Sequence, residues 1–254
     1  APKTKPIKLQ DEEEEITNLL GPPPVKRMNL RLYQANAIDK WFFKYGKKGI
    51  FEHATGSGKT FTAMHIILKI FEESNPIVVV GVPYKLLAHQ WSTECKEFFD
   101  EYGMNYNIIE CWSENKNWRL DFEQQLLKRK YEKSNNKKSL SIFIVVNKTL
   151  NSSFKDKISE HEEFNLDETL FIGDECHNYS SSLLVSSLPQ FAYRLGLSAT
   201  PVNDEDSLRE GDELMLDYFG GRIDDYSLRD ALTDPEGPFL VKYDYFPILC
   251  DMSE

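Results

Sequence analysis

The segment Ala54-Thr55-Gly56-Ser57-Gly58-Lys59-Thr60 says more about the fold than any other part of the sequence. It follows a short apolar run that is typical of a strand, and residues with helical spacing come after it. Backbone N–H groups in such a turn, together with the N-terminus of the helix, can surround a phosphate chain. The segment therefore predicts a phosphate-binding loop, here named the phosphate loop, between a strand and a helix.

The residue types of the phosphate loop suit a nucleoside triphosphate bound with magnesium. Gly56 and Gly58 allow the backbone to approach the phosphates, and Lys59 would neutralise the β- and γ-phosphates. The Thr60 hydroxyl would coordinate Mg²⁺. The candidate nucleotide-binding residues of the loop are Thr55, Gly56, Ser57, Gly58, Lys59 and Thr60.

One position departs from the strict form of this motif. The strict motif of such a phosphate-binding loop has eight residues and begins with glycine. The first of these eight positions is residue 53, which is His53 in this sequence. A glycine-rich turn that happens to precede a helix is the alternative interpretation. The strand before the loop and the helix after it both favour phosphate binding.

A second segment ends an apolar strand with two adjacent carboxylates, Asp174 and Glu175. Ligands of open α/β sheets bind at the carboxyl ends of the strands. Asp174 could hold the hydration shell of Mg²⁺, and Glu175 could orient and deprotonate the attacking water. An isolated Asp-Glu pair would indicate only a solvated strand end, but this pair follows a phosphate loop. We therefore predict Lys59, Asp174 and Glu175 as catalytic residues, with Thr60 and Asp174 as Mg²⁺ ligands.

Short apolar runs alternate with segments of helical period from Leu30 onward. This pattern is typical of βα units around a parallel sheet. Several runs are apolar at consecutive positions, as expected when helices cover both faces of the sheet. The sequence predicts an α/β domain with strands at 49–53, 77–83, 106–111, 141–147, 169–174 and 193–198, and helices at 59–73, 85–102 and 118–133.

The composition is that of a globular protein, with 41% hydrophobic and 28% charged residues. There are 30 Lys and Arg against 41 Asp and Glu, and the net charge is -11. This charge argues against a protein that binds nucleic acid with its whole surface. It does not argue against a local phosphate-binding face. The basic stretch 128–138 is interpreted as a helix end that complements the helix dipole, with nucleic-acid contact as the alternative.

The remaining sequence features concern the location of the protein and its domain boundaries. No apolar run approaches the ~20 residues of a membrane-spanning helix, and the first residues have no signal-peptide pattern. The four cysteines include no close pair, so we expect reduced thiols in a cytoplasmic protein. Residues 1–27 combine prolines with an acidic run, and we expect a flexible lead or linker followed by one domain at 28–254.

The motifs occur in the order found in superfamily 2 helicases. The phosphate loop resembles motif I, Asp-Glu-Cys-His at 174–177 resembles motif II, and Ser-Ala-Thr at 198–200 resembles motif III. Residues 30–34 and 82–91 resemble motifs Q and Ia. The chain from 28 to 254 therefore resembles the first RecA-like lobe of such a helicase or translocase. Its Arg-x-Tyr-Gln and Gln-Trp elements favour the branch of excision-repair helicases and type I and type III restriction-enzyme motor subunits over the DEAD-box RNA helicases.

The resemblance implies roles for residues outside the phosphate loop. Gln34 would select adenine through its paired donor and acceptor, the alternative being a surface glutamine at a helix start. Pro83, Lys85 and Gln90 would contact the nucleic-acid backbone, although a merely solvated Lys85 is nearly as consistent with the sequence. Trp91 falls inside a predicted helix, so we expect it to pack there and not to stack on a base.

The resemblance also implies a relay between the ATP site and the nucleic-acid groove. His177, Ser198 and Thr200 would form it. A capped turn after a strand explains the two hydroxyl groups equally well on local grounds.

The function implied by the resemblance is that of an ATP-binding lobe in a nucleic-acid-dependent ATPase. Such a protein uses ATP and Mg²⁺ to translocate on or unwind duplex DNA, with RNA less favoured, in repair, restriction or antiviral defence. The alternative is a nucleotide-dependent switch or interaction module with a degenerate motor site. Intact Lys59, Thr60, Asp174 and Glu175 favour the motor.

The sequence after Thr200 lacks several features of a second lobe. It shows no second phosphate loop, no further strand-helix series and no segment resembling Gln-x-x-Gly-Arg-x-x-Arg, which supplies the arginine finger in this superfamily. We expect residues 239–247 to form a last strand and the second RecA-like lobe to be missing from this chain. We therefore expect the chain alone to be nearly inactive in ATP hydrolysis.

Overall fold

The computed structural model describes residues 29–202 and 208–236. Within them are seven strands, β1 (Lys48–His53), β2 (Ile77–Val82), β3 (Tyr106–Cys111), β4 (Leu140–Val146), β5 (Thr169–Asp174), β6 (Tyr193–Ser198) and β7 (Arg222–Tyr226). They form one sheet in the order β3-β4-β2-β5-β6-β1-β7, and every pairing is parallel. The predicted α/β class is confirmed.

Helices cover both faces of this sheet. The first of them, α1 (Leu32–Asp39), continues into a π-helical turn at Lys40–Lys44. Short helical segments at Asn147–Thr149, Leu150–Phe154 and Lys155–Ser159 follow β4, and 3-10 turns lie at Leu166–Glu168 and Cys176–Tyr179. The longer helices are α1 (Leu32–Asp39), α2 (Lys59–Glu73), α3 (Lys85–Glu101), α4 (Trp118–Ser134), α5 (Ser182–Ser187), α6 (Glu210–Phe219) and α7 (Leu228–Thr233).

Strand β2 shows why the sheet is buried on both faces. All six of its residues are buried, and side chains alternate between the faces along a strand. Val78 and Val80 belong to the apolar cluster that α1, α2 and α3 cover. Ile77 and Val79 belong to the cluster on the opposite face, which α4 and α6 cover. The consecutive apolar residues of the sequence therefore reflect two cores that share one sheet.

Six strands and three helices predicted from the sequence are present, with bounds that differ by at most one residue. The prediction that no further strand-helix series follows Thr200 is wrong, because α6, β7 and α7 lie there. Strand β7 reads Arg-Ile-Asp-Asp-Tyr, and among residues 29–202 and 208–236 it pairs with β1 alone, so it carries the polar residues that an edge strand tolerates. The predicted lead at 1–27 and the predicted strand at 239–247 lie outside the described residues.

Glycines in the central strands make room for side chains from the turn after β5. A Cβ atom on Gly81 would lie 2.3 Å from the Tyr179 hydroxyl oxygen, and one on Gly173 would lie 3.1 Å from a Tyr179 ring carbon. Tyr179 is fully buried, and its hydroxyl donates a hydrogen bond to Asn147 Oδ1. These contacts hold the turn that follows Asp174 against the sheet.

None of the helices in the described part of the chain is both long and apolar enough to cross a membrane.

Replacing His65 by phenylalanine should make the protein less sensitive to acid. Burial lowers the pKa of His65, which lies among Phe61, Phe98 and Tyr102, to about 4. The folded state therefore favours neutral imidazole. Its contribution to stability is complete above pH ~6.5 and falls as the pH drops toward about 4, at a cost of about 2 kcal/mol after allowance for partial solvent exposure.

Urea unfolding at pH 7 and pH 4.5 measures this effect. The free energy of unfolding should fall less on acidification in His65→Phe than in the wild type. The control is His89→Phe, since the His89 side chain is 60% exposed, and its acid loss should match the wild type. Equal losses in His65→Phe and the wild type would contradict the assignment.

Candidate functional site

The carboxyl ends of neighbouring strands bring the predicted site residues together. Strand β6 lies between β5 and β1 in the sheet, so the segments that follow these three strands lie at one edge. A cleft of about 350 Å³, here named the phosphate cleft, opens at this edge. Its lining comes from the phosphate loop, the start of α2, helix α3 and the end of β5. The lining residues are Gly56, Gly58, Lys59, Thr60, Phe61, Leu87, Gln90, Trp91, Glu94, Asp174 and Glu175.

The phosphate loop forms a cradle that ends at the N-terminus of α2. Gly56 and Gly58 both have φ of 79°, a left-handed conformation that favours glycine. Gly58 caps α2, and its carbonyl oxygen accepts a hydrogen bond from the Thr62 hydroxyl at 3.1 Å. The Ser57 hydroxyl is buried and has no hydrogen-bond partner among the described residues. A cradle that contains an unsatisfied polar group fits a polar ligand such as a phosphate chain.

The Lys59 ammonium group contacts the last residue of β1 and the first residue of the phosphate loop. Its Nζ donates hydrogen bonds to the carbonyl oxygens of His53 at 2.9 Å and Ala54 at 3.4 Å. Burial lowers the pKa of Lys59, while the nearby Glu175 and Asp174 oppose that shift. A phosphate oxygen carries charge and is a stronger acceptor than a carbonyl. Lys59 can therefore exchange these carbonyls for a phosphate.

Asp174 lies at the end of β5 with both carboxylate oxygens occupied by hydrogen bonds. Its Oδ2 accepts from Trp91 Nε1 at 2.8 Å, and its Oδ1 accepts from the Glu175 backbone N–H at 3.0 Å. Burial raises the pKa of Asp174, and the hydrogen bond from Trp91 acts in the opposite direction. The packing expected for Trp91 is observed, since its side chain is buried. The hydrogen bond to Asp174 was not predicted.

Glu175 occupies a left-handed backbone conformation, with φ of 48° and ψ of 55°. This conformation costs a non-glycine residue on the order of 1 kcal/mol or more, and such residues cluster at functional sites. The Asn178 side chain donates to the Glu175 carbonyl oxygen at 2.9 Å. The turn Cys176–Tyr179 thus holds the candidate base in a strained position at the wall of the phosphate cleft.

The predicted relay residues are in contact. His177 Nδ1 lies 3.5 Å from Glu175 Oε2 and 3.0 Å from the Ser198 hydroxyl oxygen. The same oxygen accepts a hydrogen bond from the Thr200 backbone N–H at 3.2 Å. Ser198 therefore caps the turn after β6 and also contacts His177. A continuous path joins the candidate base to the segment after β6, and its role as a relay stays a prediction.

Gln34 is buried against the phosphate loop and is not a surface residue. Its Oε1 accepts from the Arg31 backbone N–H at 3.0 Å, and its Nε2 lies 3.4 Å from the Gly58 carbonyl oxygen. A carboxamide has two donor hydrogens and two acceptor lone pairs. These two contacts leave one amide hydrogen and one acceptor lone pair of the Gln34 side chain without a hydrogen bond among the described residues.

The structure explains why His53 stands where the strict motif has glycine. The His53 ring is fully buried, and its Nε2 lies 2.7 Å from Asp224 Oδ2 on β7. Lys40 donates to the other oxygen of Asp224 at 2.5 Å. Burial alone would raise the pKa of Asp224, but the hydrogen bonds from His53 and Lys40 outweigh it and lower the pKa. The imidazole thus connects the start of the phosphate loop to the edge strand.

Thr60 and Asp174 fit a magnesium ion that arrives with a nucleotide. No group of three or more His, Cys, Asp or Glu side chains within 29–202 and 208–236 is placed to hold a metal ion. Mg²⁺ commonly binds through one or two carboxylates together with substrate phosphates. The residues present therefore fit a shared protein-phosphate site and not a preformed metal centre.

The three predicted nucleic-acid contacts are not all in one place. Pro83 precedes α3, and Lys85, the first residue of α3, forms an ion pair with Glu114. Gln90 instead lines the phosphate cleft and donates to Glu94 at 2.7 Å. In the basic stretch, Lys130 and Lys133 pair with Glu163 and Glu168, as expected for a solvated helix end.

The profile of the type III restriction enzyme res subunit family matches residues 27–203. This match covers more than half of the chain and includes the phosphate loop, Asp174, Glu175 and the segment after β6. The chain belongs to this family. The chain is thus a helicase-family ATP-binding domain. No curated protein matches the sequence.

Solved structures of helicase-type proteins share the fold of this res-family chain. A nuclease-deletion mutant of the Type ISP restriction-modification enzyme LlaGI, in complex with a DNA substrate mimic, has a TM-score of 0.58 at 18% identity, over 81% of this chain and 20% of that chain. The Pyrococcus furiosus Hef helicase domain has a TM-score of 0.51 at 16% identity, over 78% and 38%. The Sulfolobus solfataricus SWI2/SNF2 ATPase core, in complex with dsDNA, has a TM-score of 0.50 at 18% identity, over 76% and 36%.

These similarities confirm the fold of the first RecA-like lobe of superfamily 2 helicases. The chain spans about a fifth of the LlaGI chain and less than two fifths of the other two.

Proposed function

We propose that this chain is the ATP-binding lobe of a nucleic-acid-dependent ATPase that translocates on or unwinds duplex DNA in the cytoplasm. The observation that carries the proposal is one cleft that contains the phosphate loop, Lys59, Asp174 and Glu175. Phosphoryl transfer depends on positioning and on stabilising negative charge, and these residue types supply both.

Each residue of the phosphate cleft has a distinct part in this proposal. The backbone N–H groups of the phosphate loop and the Lys59 ammonium group bind the phosphates. Thr60 and Asp174 would hold Mg²⁺, which would neutralise phosphate charge. Glu175 orients a water molecule and accepts its proton. The contact of His177 with Glu175 and Ser198 would then report the state of the cleft to the segment after β6.

DNA is the proposed nucleic acid, and RNA is less favoured. The LlaGI and SWI2/SNF2 structures are DNA complexes. We propose that the chain contacts DNA through Pro83 and Lys85 at the start of α3. Because the chain carries a net charge of -11, binding by this lobe alone should be weak and should fall steeply with salt. We propose repair, restriction or antiviral defence as the process.

A second RecA-like lobe is part of the proposal. None of the described residues that line the phosphate cleft is an arginine. An arginine finger stabilises the transition-state charge in related phosphoryl-transfer enzymes. We therefore propose that residues 1–254 bind ATP but hydrolyse it at a rate close to background until a second lobe supplies this group.

The alternative is a nucleotide-dependent switch that signals to a partner without moving on DNA. The two functions are distinguished by measuring ATP hydrolysis with and without duplex DNA. The measurement uses the chain joined to a second RecA-like lobe. The motor requires hydrolysis to rise with DNA, and the rise should disappear at high salt. Binding of ATP without DNA-stimulated hydrolysis would favour the switch. Turnover near 1 per second by residues 1–254 alone would contradict the need for a second lobe.

Replacing Gln34 by alanine should weaken ATP binding more than GTP binding. The carboxamide has a donor and an acceptor to offer a purine edge, and adenine and guanine present different patterns there. Calorimetric titration with both nucleotides measures the two affinities. Loss of equal size for ATP and GTP would show that Gln34 only supports the phosphate loop through Arg31 and Gly58. The control is Asn36→Ala on the exposed side of α1, which should change neither affinity.

A further inference from the structure

We propose that Trp91 is the positioning residue of the magnesium site, because its indole N–H holds the carboxylate of Asp174. The inference rests on the proposed function, in which Asp174 holds Mg²⁺ that is bound with ATP. Trp91 itself touches neither the metal nor the phosphates in this proposal.

The hydrogen bond joins two elements that are distant in sequence. Trp91 lies on α3 and Asp174 at the end of β5, 83 residues later. The two side chains are 1% and 7% exposed. The distance of 2.8 Å from Nε1 to Oδ2 is that of a normal hydrogen bond to a charged acceptor. A buried carboxylate with such a partner has little freedom to rotate.

The two hydrogen bonds of Asp174 fix the plane of its carboxylate. Trp91 binds Oδ2 and the Glu175 backbone N–H binds Oδ1, so each oxygen has one donor. An ionised carboxylate has about four acceptor sites. Asp174 therefore keeps free lone pairs for a metal-bound water while its orientation is set. Partners of this kind around a metal ligand typically change metal affinity by about 10- to 100-fold when they are removed.

Packing alone does not account for this arrangement. Another tryptophan, Trp41, is also fully buried, and its Nε1 donates to the Arg194 backbone carbonyl oxygen at 3.1 Å. That N–H satisfies a backbone group in the core. Trp91 instead lines the phosphate cleft beside Gln90 and donates to the predicted metal ligand. The pair Trp91 and Trp41 thus offers a matched comparison of the same side chain in two roles.

The test is ATP affinity with Mg²⁺ and with EDTA, measured by calorimetric titration of Trp91→Phe and Trp41→Phe. Phenylalanine keeps an aromatic ring but removes the N–H group. In Trp91→Phe the gain in affinity caused by Mg²⁺ should shrink by about tenfold, while affinity in EDTA stays within about twofold of wild type. Both affinities should be unchanged in Trp41→Phe.

A second variant guards against loss of folding. Replacing Trp91 by 3-benzothienylalanine keeps the bicyclic ring and exchanges only the N–H for sulfur, and it should show the same loss of the Mg²⁺ effect. A Mg²⁺ effect of wild-type size in this variant, or an equal loss of affinity with Mg²⁺ and with EDTA, would overturn the inference. A wild-type chain that binds no ATP would overturn the proposed function itself, and this inference with it.

Discussion

Replacing Glu175 by glutamine is expected to reduce ATP hydrolysis by about 10²- to 10⁴-fold and to leave ATP affinity within about twofold of wild type. Glutamine keeps the shape of the side chain but cannot accept a proton from water. The backbone N–H of residue 175 still donates to Asp174 Oδ1, so the metal site keeps its geometry. The strained backbone at this position is also the same in the variant.

Hydrolysis is measured with the chain and a second RecA-like lobe, so that the wild-type rate is high enough to reveal such a loss. The control is Glu163→Gln, which removes an exposed carboxylate that pairs with Lys130. Its hydrolysis rate should equal that of the wild type. A Glu175→Gln variant that retains more than about a tenth of the wild-type rate would place the general base elsewhere.

Replacing Lys59 by alanine is expected to weaken ATP binding by about thirtyfold or more. Charge-assisted hydrogen bonds to a triphosphate contribute on the order of 2 kcal/mol or more, which corresponds to that ratio. The hydrogen bonds that Lys59 makes to His53 and Ala54 are lost as well. Those two carbonyl oxygens belong to the last residue of β1 and the first residue of the phosphate loop.

Calorimetric titration with ATP in the presence of Mg²⁺ measures the loss. Lys69→Ala is the control on the same helix, because Lys69 pairs with Asp39 on the surface. The affinity of this control should be that of the wild type. Unchanged affinity in Lys59→Ala would show that the phosphate loop does not bind the phosphates.

The sequence predicted those parts of the fold and site whose signal is local. The phosphate loop needs only a strand, a turn and a helix in succession, and helix α2 begins at Lys59 as predicted. The central strands are consecutively apolar because both of their faces are buried. The order of the motifs also indicated that Asp174 and Ser198 follow strands of one sheet. In the structure these strands, β5 and β6, are neighbours.

The missed features depend on contacts between distant parts of the chain. His53 pairs with Asp224 across 171 residues, and Trp91 reaches Asp174 across 83 residues. No periodicity records such a pairing. Strand β7 was missed because Asp224 and Asp225 interrupt its apolar pattern. Asp224 is buried there only because His53 and Lys40 are its partners.

The central claim is that one cleft binds a triphosphate and Mg²⁺ between the phosphate loop and Asp174. A crystal structure of residues 1–254 with a non-hydrolysable ATP analogue and Mg²⁺ tests it most directly. The account predicts β- and γ-phosphates on the backbone N–H groups of the phosphate loop, with Lys59 Nζ on a phosphate oxygen and Mg²⁺ between Thr60 and Asp174. Phosphates bound at another place would contradict it. So would a metal ion that contacts neither Thr60 nor Asp174, either directly or through a water molecule of its hydration shell.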